Sequence, residues 1–232
     1  AAKHLAVEYR PDDGAPLSPD AVQPEEQEDE TVRQGDLVHA MSEAAHSVDV
    51  TFTTKGHASA AMEPYAAIAQ WDGDQLTVHA SLQMLNYNIS ELADAIDLPE
   101  EKVRLVSRFV GGGFGSKLFL RADALLAALG ARQVGRPVKV AIARPQIPNN
   151  TTHRPATIQR IRIGADKDGV IDAIAHEVWS GDLPGGGPET AAQQTRLLYR
   201  GDNRLTAHRL VTLNLPEGNA MRAPGEAVGL LA

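Results

Sequence analysis

The stretch Gly111-Gly112-Gly113-Phe114-Gly115-Ser116-Lys117 decides how this chain is interpreted, because four glycines surround one aromatic residue. Glycine lacks a Cβ atom and adopts positive φ at little cost, so such a stretch can turn several backbone N–H groups into one concave surface. Residues 102–110 before it are strand-like, and residues 118–134 after it carry apolar side chains at helical spacing. We therefore predict that this stretch, here called the glycine loop, joins a strand to the N-terminal end of a helix and binds an anion or a polar cofactor.

Neither common nucleotide motif fits the glycine loop. A dinucleotide fingerprint requires glycine where Ser116 stands, and no acidic residue follows at the distance expected for a ribose partner. A P-loop requires a Gly-Lys-Ser or Gly-Lys-Thr end, whereas Lys117 is preceded by Ser116 and followed by Leu118. A nucleotide-binding enzyme that uses this loop is disfavoured, and a glycine-rich turn without any ligand remains an alternative.

Composition limits the class of protein further. The 232 residues can form one large or two small domains, and the net charge is −8. Residues 1–40 hold three Lys or Arg against ten Asp or Glu, and residues 24–30 are typical of a solvated, loosely ordered loop. There is no basic surplus for nucleic acid and no apolar run long enough to span a membrane. There are no cysteines, so any iron–sulfur cluster would belong to another chain.

Strand and helix signals alternate along the chain. Five segments are predicted as strands, and they are residues 75–81, 136–140, 158–163, 170–178 and 205–213, with 158–163 and 170–178 forming a hairpin. The hairpin turn is Asp166-Lys167-Asp168-Gly169. A short helix is predicted from Asn88, with Asn88 or Ser90 as its cap, ending before Pro99. These signals predict sheets with helices packed on them. Residues 1–9 already follow a periodic pattern, and residues 227–232 stop inside an apolar run without a helix cap. We therefore expect this chain to be a segment of a longer polypeptide.

Three polar clusters outside the glycine loop are candidate sites. His57 and Glu63 could bind a metal, but one His and one carboxylate make an incomplete site, so a hydrogen-bonded structural pair is preferred. Residues 151–155 could begin a catalytic constellation, although a loop in which Arg154 pairs with a carboxylate is preferred. Arg222 stands before a Pro-Gly turn, which would fix the direction of its guanidinium. The guanidinium could bind a phosphate or an oxyanion, or it could form a surface ion pair with Glu226.

The order of these motifs resembles one protein family. The motifs, in sequence order, are residues 62–64, 81–83, the glycine loop, 149–157 and 222–226. The chain resembles the molybdenum-binding large subunit of the xanthine dehydrogenase and aldehyde oxidoreductase family, and it is most similar to bacterial three-subunit aldehyde oxidoreductases. The resemblance implies an α+β fold with mixed sheets and packed helices. Residues 1–40 are similar to the end of an α/β hammerhead domain with an acidic linker, and 41–232 to part of the first molybdopterin-binding domain.

The resemblance also implies a cofactor and roles for particular residues. The cofactor implied is molybdenum-molybdopterin in its cytosine dinucleotide form, with iron–sulfur clusters and FAD on partner subunits. Gln83 matches the glutamine that hydrogen-bonds the apical oxo ligand of molybdenum, and Arg222 matches an arginine beside the metal and substrate; these two are the implied catalytic residues. The implied cofactor-binding residues are Gly112, Gly113, Phe114, Gly115, Met221, Arg222 and Ala223. No residue of this chain is expected to ligate the metal.

Departures from the family pattern concern the substrate. Leu118 stands where purine-oxidising relatives carry a glutamate, and Pro224 replaces a phenylalanine that stacks on flat heterocycles in those relatives. Both residues are assigned to the substrate pocket, and both favour a small aldehyde over a purine. Ser116 replaces the usual glycine, with its direction left open. The family's catalytic glutamate has no counterpart among these residues.

The sequence therefore predicts part of a molybdenum hydroxylase subunit that oxidises aldehydes to carboxylic acids, with this segment inactive alone. Its expected partners are a small iron–sulfur subunit and an FAD subunit. Its expected compartment is the cytoplasm, or the periplasm if a signal-bearing partner carries it there. The alternative is a noncatalytic remnant or assembly module of such a complex.

Overall fold

The computed structural model describes residues 6–10, 14 and 16–230. Residues 1–5 and 231–232, on which part of the expectation of a longer polypeptide rests, lie outside this range. The strands are β1 (Glu25–Glu26), β2 (Val32–Gln34), β3 (His46–Thr54), β4 (His57–Ala58), β5 (Ala66–Asp72), β6 (Gln75–Ala80), β7 (Val103–Val106), β8 (Val138–Ala141), β9 (His153–Arg154), β10 (Thr157–Ala165), β11 (Ile171–Asp182) and β12 (Asn203–Thr212). The helices are α1 (Leu37–Glu43), α2 (Leu85–Ile96), α3 (Ala122–Val134), α4 (Ile147–Asn150), α5 (Gln193–Leu198) and α6 (Glu226–Gly229).

The large sheet has the strand order β1-β12-β11-β10-β3, with β2 also paired to β12. Its centre is the predicted hairpin: β10 and β11 are antiparallel, Gly169 has φ of +83°, and Asp166 Oδ1 accepts the N–H groups of Asp168 and Val170. In contrast, β11 and β12 are parallel, so this sheet is mixed. The prediction of mixed sheets with packed helices is confirmed.

The smaller sheet carries the main apolar core. Its strand order is β7-β6-β5-β8, and α2 and α3 pack against it. On α3 the buried face consists of small residues, and these are Ala124, Ala127, Ala128 and Ala131. Alanines let the helix backbone approach the sheet closely, and Trp71 Nε1 on β5 donates to the Ala128 carbonyl at 2.9 Å. The smaller sheet and its two helices thus form one packed unit, and the glycine loop lies between its strand β7 and its helix α3.

Two element predictions needed correction near this layer. Helix α2 begins at Leu85 rather than at Asn88, and Asn88 is buried inside it, where its Nδ2 donates to Leu118 O and Glu91 Oε2. Asn88 therefore anchors the segment after the glycine loop instead of capping the helix. Helix α3 begins at Ala122, so residues 118–121 separate the glycine loop from the helix N-terminus.

The acidic residues 24–30 are not a loosely ordered loop, contrary to the prediction. They form β1 and a 3-10 helix at Glu28–Glu30, and β1 pairs with β12. Arginines neutralise the charge: Arg33 on β2 binds Glu26 and Glu28, and Arg209 on β12 lies 3.0 Å from Glu26. Residues 25–26 and 32–34 are therefore part of the large sheet. The assignment of residues 1–40 to a hammerhead domain stays a prediction.

No helix among the described residues is long and apolar enough to cross a membrane.

Candidate functional site

The glycine loop runs from the end of β7 towards α3 and has an irregular backbone. Gly112, Phe114 and Gly115 have φ of +95°, +53° and +91°. Positive φ is ordinary for glycine but costs a residue with a side chain energy, so Phe114 is held there by its surroundings. Successive changes in the sign of φ are what turn neighbouring N–H groups to one side of a loop.

Gln83, just before α2, lies against this loop. Its Oε1 accepts the N–H groups of Gly115 and Lys117, both at 3.2 Å. A Cβ atom at position 113 would lie 2.2 Å from the same oxygen, so Gly113 is required for the contact. Because the oxygen is occupied by the loop, the exposed Gln83 presents its amide N–H groups as free donors among the described residues.

Lys117 is fully buried and its ammonium is used inside the protein. Nζ donates to Glu63 Oε2 at 2.7 Å, to Ser81 Oγ at 3.0 Å and to the Glu63 carbonyl at 3.3 Å. Burial alone would raise the pKa of Glu63, but hydrogen bonds from Lys117, Ser81 and the Gly111 N–H outweigh it and lower that pKa to about 2. Lys117 therefore fixes the glycine loop and cannot serve a bound phosphate as a P-loop lysine does.

The predicted pairing of His57 with Glu63 is wrong. His57 is exposed on β4, and no hydrogen bond of its ring is found among the described residues, whereas Glu63 binds Lys117, Ser81 and Gly111. The missed signal was long-range: Lys117 lies in a motif far along the chain from Glu63. In the part of the chain that the structure describes, no group of three His, Asp or Glu side chains is arranged to hold a metal ion.

Ser116 points into the protein. Its Oγ donates to the Gly113 carbonyl at 2.6 Å and accepts from Ser59 Oγ at 2.8 Å and from the Tyr65 hydroxyl. The hydroxyl that replaces a glycine hydrogen here thus stiffens the base of the loop and does not face its outer surface.

The second wall of the site is the turn formed by residues 219–225. The Arg222 N–H donates to the Phe114 carbonyl at 2.8 Å, and a Cβ atom at Gly115 would lie 2.7 Å from the Ala220 carbonyl oxygen. Ala223 has φ of +53°, so each of the two touching loops contains one non-glycine residue in the left-handed region. The Arg222 side chain is exposed and forms no ion pair with Glu226 among the described residues.

Arg154 lies beneath this turn. It pairs with Glu189 at 3.3 Å, which confirms the prediction of a carboxylate partner. Both side chains are buried, and Glu189 was missed because it stands in a glycine- and proline-rich segment with no local sign of an arginine partner.

Five backbone N–H groups on the two loops make no hydrogen bond to any described residue, and they belong to Gly112, Gly113, Phe114, Met221 and Ala223. All five belong to the set that the family resemblance assigned to cofactor binding. The set also contains Gly115 and Arg222. The Gly115 N–H donates to Gln83 Oε1 and the Arg222 N–H donates to the Phe114 carbonyl, so these two bonds hold the parts of the site together. Among the five residues, Gly113 is buried and Gly112 and Met221 are half-buried, whereas Phe114 and Ala223 are exposed. A buried or half-buried N–H without a partner is costly, so this arrangement fits a ligand rich in oxygen acceptors.

The two residues assigned to the substrate pocket occupy different surroundings. Leu118 is half-buried, and its carbonyl accepts from Asn88. Pro224 is exposed and lines a cavity of about 170 Å³ together with Thr190, Gly218 and Asn219. Their common contact with a substrate stays a prediction.

Comparisons with known proteins identify relatives of this chain. The chain is 56% identical, over an alignment of 237 positions, to the aldehyde oxidoreductase molybdenum-binding subunit PaoC of Escherichia coli O157:H7, and the alignment covers 100% of this chain and 32% of that protein. The chain thus spans about a third of the length of this curated relative.

Solved structures share the fold. Quinoline 2-oxidoreductase from Pseudomonas putida 86 superposes with a TM-score of 0.75 at 23% identity over 84% of this chain and 26% of that chain. Aldehyde oxidoreductase from Desulfovibrio gigas gives a TM-score of 0.69 at 22% identity over 84% of this chain and 22% of that chain. The model of the molybdopterin cofactor-binding domain family matches residues 21–232, and the chain therefore belongs to that family.

Proposed function

We propose that this chain is part of the catalytic subunit of a molybdenum-dependent oxidoreductase that converts aldehydes to carboxylic acids. The observation that carries the proposal is that two loops with unpartnered N–H groups are joined beside the Gln83 carboxamide and the Arg222 side chain, and that all of these groups are hydrogen-bond donors. The 56% identity to a subunit named for aldehyde oxidation supports the substrate class.

The residues of the two loops would hold the cofactor by its oxygen and sulfur atoms. Gly112, Gly113 and Phe114 would donate from one wall, and Met221 and Ala223 from the other. Gln83, whose carboxamide oxygen is fixed by Gly115 and Lys117, would direct its N–H groups at a cofactor oxygen. When bound, molybdenum-molybdopterin would supply the redox chemistry, with the added oxygen coming from water and two electrons leaving the substrate.

Arg222 would act on the substrate. Its guanidinium is exposed and without an ion-pair partner among the described residues, so it is available to an aldehyde oxygen. Charge that develops on that oxygen during the reaction would be stabilised by the guanidinium. Leu118 and Pro224 would give the pocket an apolar character without a carboxylate or a stacking ring, which favours small aldehydes over purines.

The remaining details follow from the resemblance. We propose the cytosine dinucleotide form of the cofactor, a small iron–sulfur subunit and an FAD subunit as partners, and electron transfer through them. Residues 1–40 would complete a hammerhead domain. The compartment would be the cytoplasm, or the periplasm if a partner exports the complex.

The test is the metal and pterin content of the full-length protein purified with its copurifying subunits. We expect molybdenum and molybdopterin in near-stoichiometric amounts, and oxidation of benzaldehyde but not of xanthine with an artificial electron acceptor. A preparation that contains neither molybdenum nor pterin would contradict the proposal. Cofactor binding without turnover of any aldehyde would favour the noncatalytic module, and a thermal shift with ATP or NAD would favour a nucleotide site.

A matched pair of glycine variants links the cofactor to the loops. Gly115→Ala adds a Cβ atom 2.7 Å from the Ala220 carbonyl oxygen at φ of +91°, whereas Gly73→Ala adds one at φ of +59° with nothing within 4 Å. Both changes strain the backbone by about 1 kcal/mol, but only the first separates the two loops. We expect molybdopterin content to fall in Gly115→Ala and to be retained in Gly73→Ala; equal retention in both would argue against a site between the loops.

A further inference from the structure

The buried Arg154 side chain contacts three consecutive carbonyl groups of the turn formed by residues 219–225. Its Nη2 donates to Met221 O at 2.9 Å and to Arg222 O, and its Nη1 donates to Ala223 O at 3.3 Å. The side chain is 6% exposed. One guanidinium therefore fixes the direction of three peptide groups in the turn that carries Arg222.

Glu189 fixes the guanidinium in turn. Its Oε1 lies 3.3 Å from Arg154 Nη1 and also accepts the Gly225 N–H at 2.5 Å. The Glu189 N–H donates to Ser180 Oγ on β11 at 2.9 Å. The pair thus connects the turn to a central strand of the large sheet.

The backbone beside Arg154 is tied to the same turn. The Asn219 N–H donates to the His153 carbonyl at 3.0 Å, and β9 pairs with β4 on its other side. Arg154 consequently has little freedom to move relative to residues 219–223, and its side-chain contacts are set by the fold.

Peptide geometry converts these contacts into a direction for the N–H groups. The C=O and N–H of a trans peptide point in opposite directions, and no peptide bond among the described residues is cis. Because Met221 O faces Arg154, the Arg222 N–H points away from it, and it reaches the Phe114 carbonyl at 2.8 Å. Because Arg222 O also faces Arg154, the Ala223 N–H points away from Arg154 in the same manner. The third peptide group ends in Pro224, which has no N–H.

We propose that Arg154, held by Glu189, is a positioning residue that sets the Arg222 side chain and the Ala223 N–H relative to the glycine loop. This inference rests on the proposed function, because it assigns the turn to the site described there. A buried ion pair adds little stability compared with apolar residues of the same volume, so its presence is better explained by the geometry it imposes. A lysine could keep the charge but not the planar fork that reaches three carbonyls.

The experiment compares three variants of the full-length protein purified with its copurifying subunits. Arg154→Lys keeps the charge and removes the fork, and Glu189→Gln keeps the shape and removes the counter-charge. The control is Arg160→Lys, which alters an exposed arginine paired with Asp49 on β10 and β3. For each variant, amide hydrogen exchange is measured for peptides covering 219–226 and peptides from β10 and β11, together with molybdenum content, kcat and KM for benzaldehyde.

Arg154→Lys should accelerate exchange at the Arg222 N–H by about 10- to 100-fold, the ratio expected when a hydrogen bond to a charged group is lost, with β10 and β11 unchanged. A displacement of about 1 Å of the Arg222 side chain should lower kcat by about 100-fold and leave KM within a few-fold. Glu189→Gln should act in the same direction to a smaller extent, and Arg160→Lys should match the parent protein in every measurement.

Three results would overturn the proposal: unchanged exchange in 219–226, acceleration spread evenly over β10 and β11, or a rise in KM with kcat unchanged. The second of these would mean that the pair merely stabilises the fold. If the parent protein contains no molybdopterin, the proposed function fails, yet the exchange comparison still decides whether Arg154 orders the turn.

Discussion

Phe114 lies in one of the two loops of the site and Ala223 in the other, and both have left-handed backbone angles. The only other described non-glycine residue with positive φ is Asp97, which ends α2. Such a conformation costs about 1–3 kcal/mol at a functional site and persists only where neighbouring contacts impose it. Here the bond from the Arg222 N–H to the Phe114 carbonyl and the contacts of Arg154 impose it from both sides.

The Lys117–Glu63 pair makes an asymmetric prediction at the same scale. Glu63→Ala leaves a fully buried ammonium without its counter-charge, whereas Lys117→Met removes that charge and leaves a carboxylate that is 38% exposed. We expect Glu63→Ala to lower the free energy of unfolding by about 2–3 kcal/mol. This loss is at or below the lower end of the range for breaking a buried ion pair, because water reaches the Glu63 side of the pair. Lys117→Met should cost about 1 kcal/mol or less. Urea unfolding at pH 7 measures both.

The matched control for this pair is Asp49→Ala, which breaks the exposed pair with Arg160. Exposed pairs contribute about 0–1 kcal/mol, so this variant should unfold close to the parent protein. If Lys117→Met proves more destabilising than Glu63→Ala, the buried charge is not what holds the loop.

Strands β6, β7 and β8, the hairpin of β10 and β11, and β12 were predicted because their signals are local. Strands β3 and β5, the helix boundaries and most site contacts were not predicted. The hairpin between β10 and β11 follows from an alternating pattern and an Asp-Gly step, which act over a few residues. Helix α2 starts three residues before the predicted cap, and Asn88 does not cap it but bonds Leu118, a partner distant in sequence. In the same way, nothing near Arg154 indicated Glu189, and nothing near Glu63 indicated Lys117.

Strands β11 and β12 carry two buried histidines that make the large sheet sensitive to acid. His176 bonds Thr195 Oγ1 and Gln159 Oε1, and burial, with a smaller contribution from His208, lowers its pKa to about 4. Burial also lowers the pKa of His208, whose Nε2 accepts the Ala192 N–H. Neutral histidine therefore suits the folded state, while the unfolded chain takes up a proton near pH 6.5.

This difference predicts a loss of stability between pH 6.5 and 4. Within that window the unfolded state binds more protons than the folded state, so the free energy of unfolding rises with pH, by up to about 3 kcal/mol from His176. His176→Gln should flatten the pH dependence in urea unfolding, and His79→Gln, at an exposed position on β6, should leave it as in the parent protein. An unchanged slope in His176→Gln would assign the acid sensitivity elsewhere.

At the scale of the whole molecule, much apolar surface of the large sheet is exposed. Val48, Val50 and Phe52 lie on the edge strand β3, and they line a cavity of about 200 Å³ with Leu198 and Leu230. A contiguous exposed apolar face is typical of surface that contacts other parts of a protein assembly. This agrees with a chain that spans about a third of its curated relative.

We therefore predict that residues 1–232 expressed alone do not oxidise aldehydes. The resemblance places the catalytic glutamate outside these residues, and the two loops supply donors but no general base. Benzaldehyde oxidation with a dye acceptor should be undetectable for the isolated chain and clear for the full-length protein with its subunits. Turnover by the isolated chain would show that this chain contains a complete active site.

The hydrogen bond between Arg222 and Phe114 joins residues separated by about half of the chain, and this has a consequence for biosynthesis. Strands β5 to β8 and helices α2 and α3, which support the glycine loop, are encoded within one continuous stretch and can associate as soon as it is synthesised. The turn at 219–225 follows β12, so it leaves the ribosome after these elements. The first wall of the site can thus form while the second is still being translated, so a cofactor held between the two walls, as proposed, could contact both of them only after residues 219–225 have been synthesised.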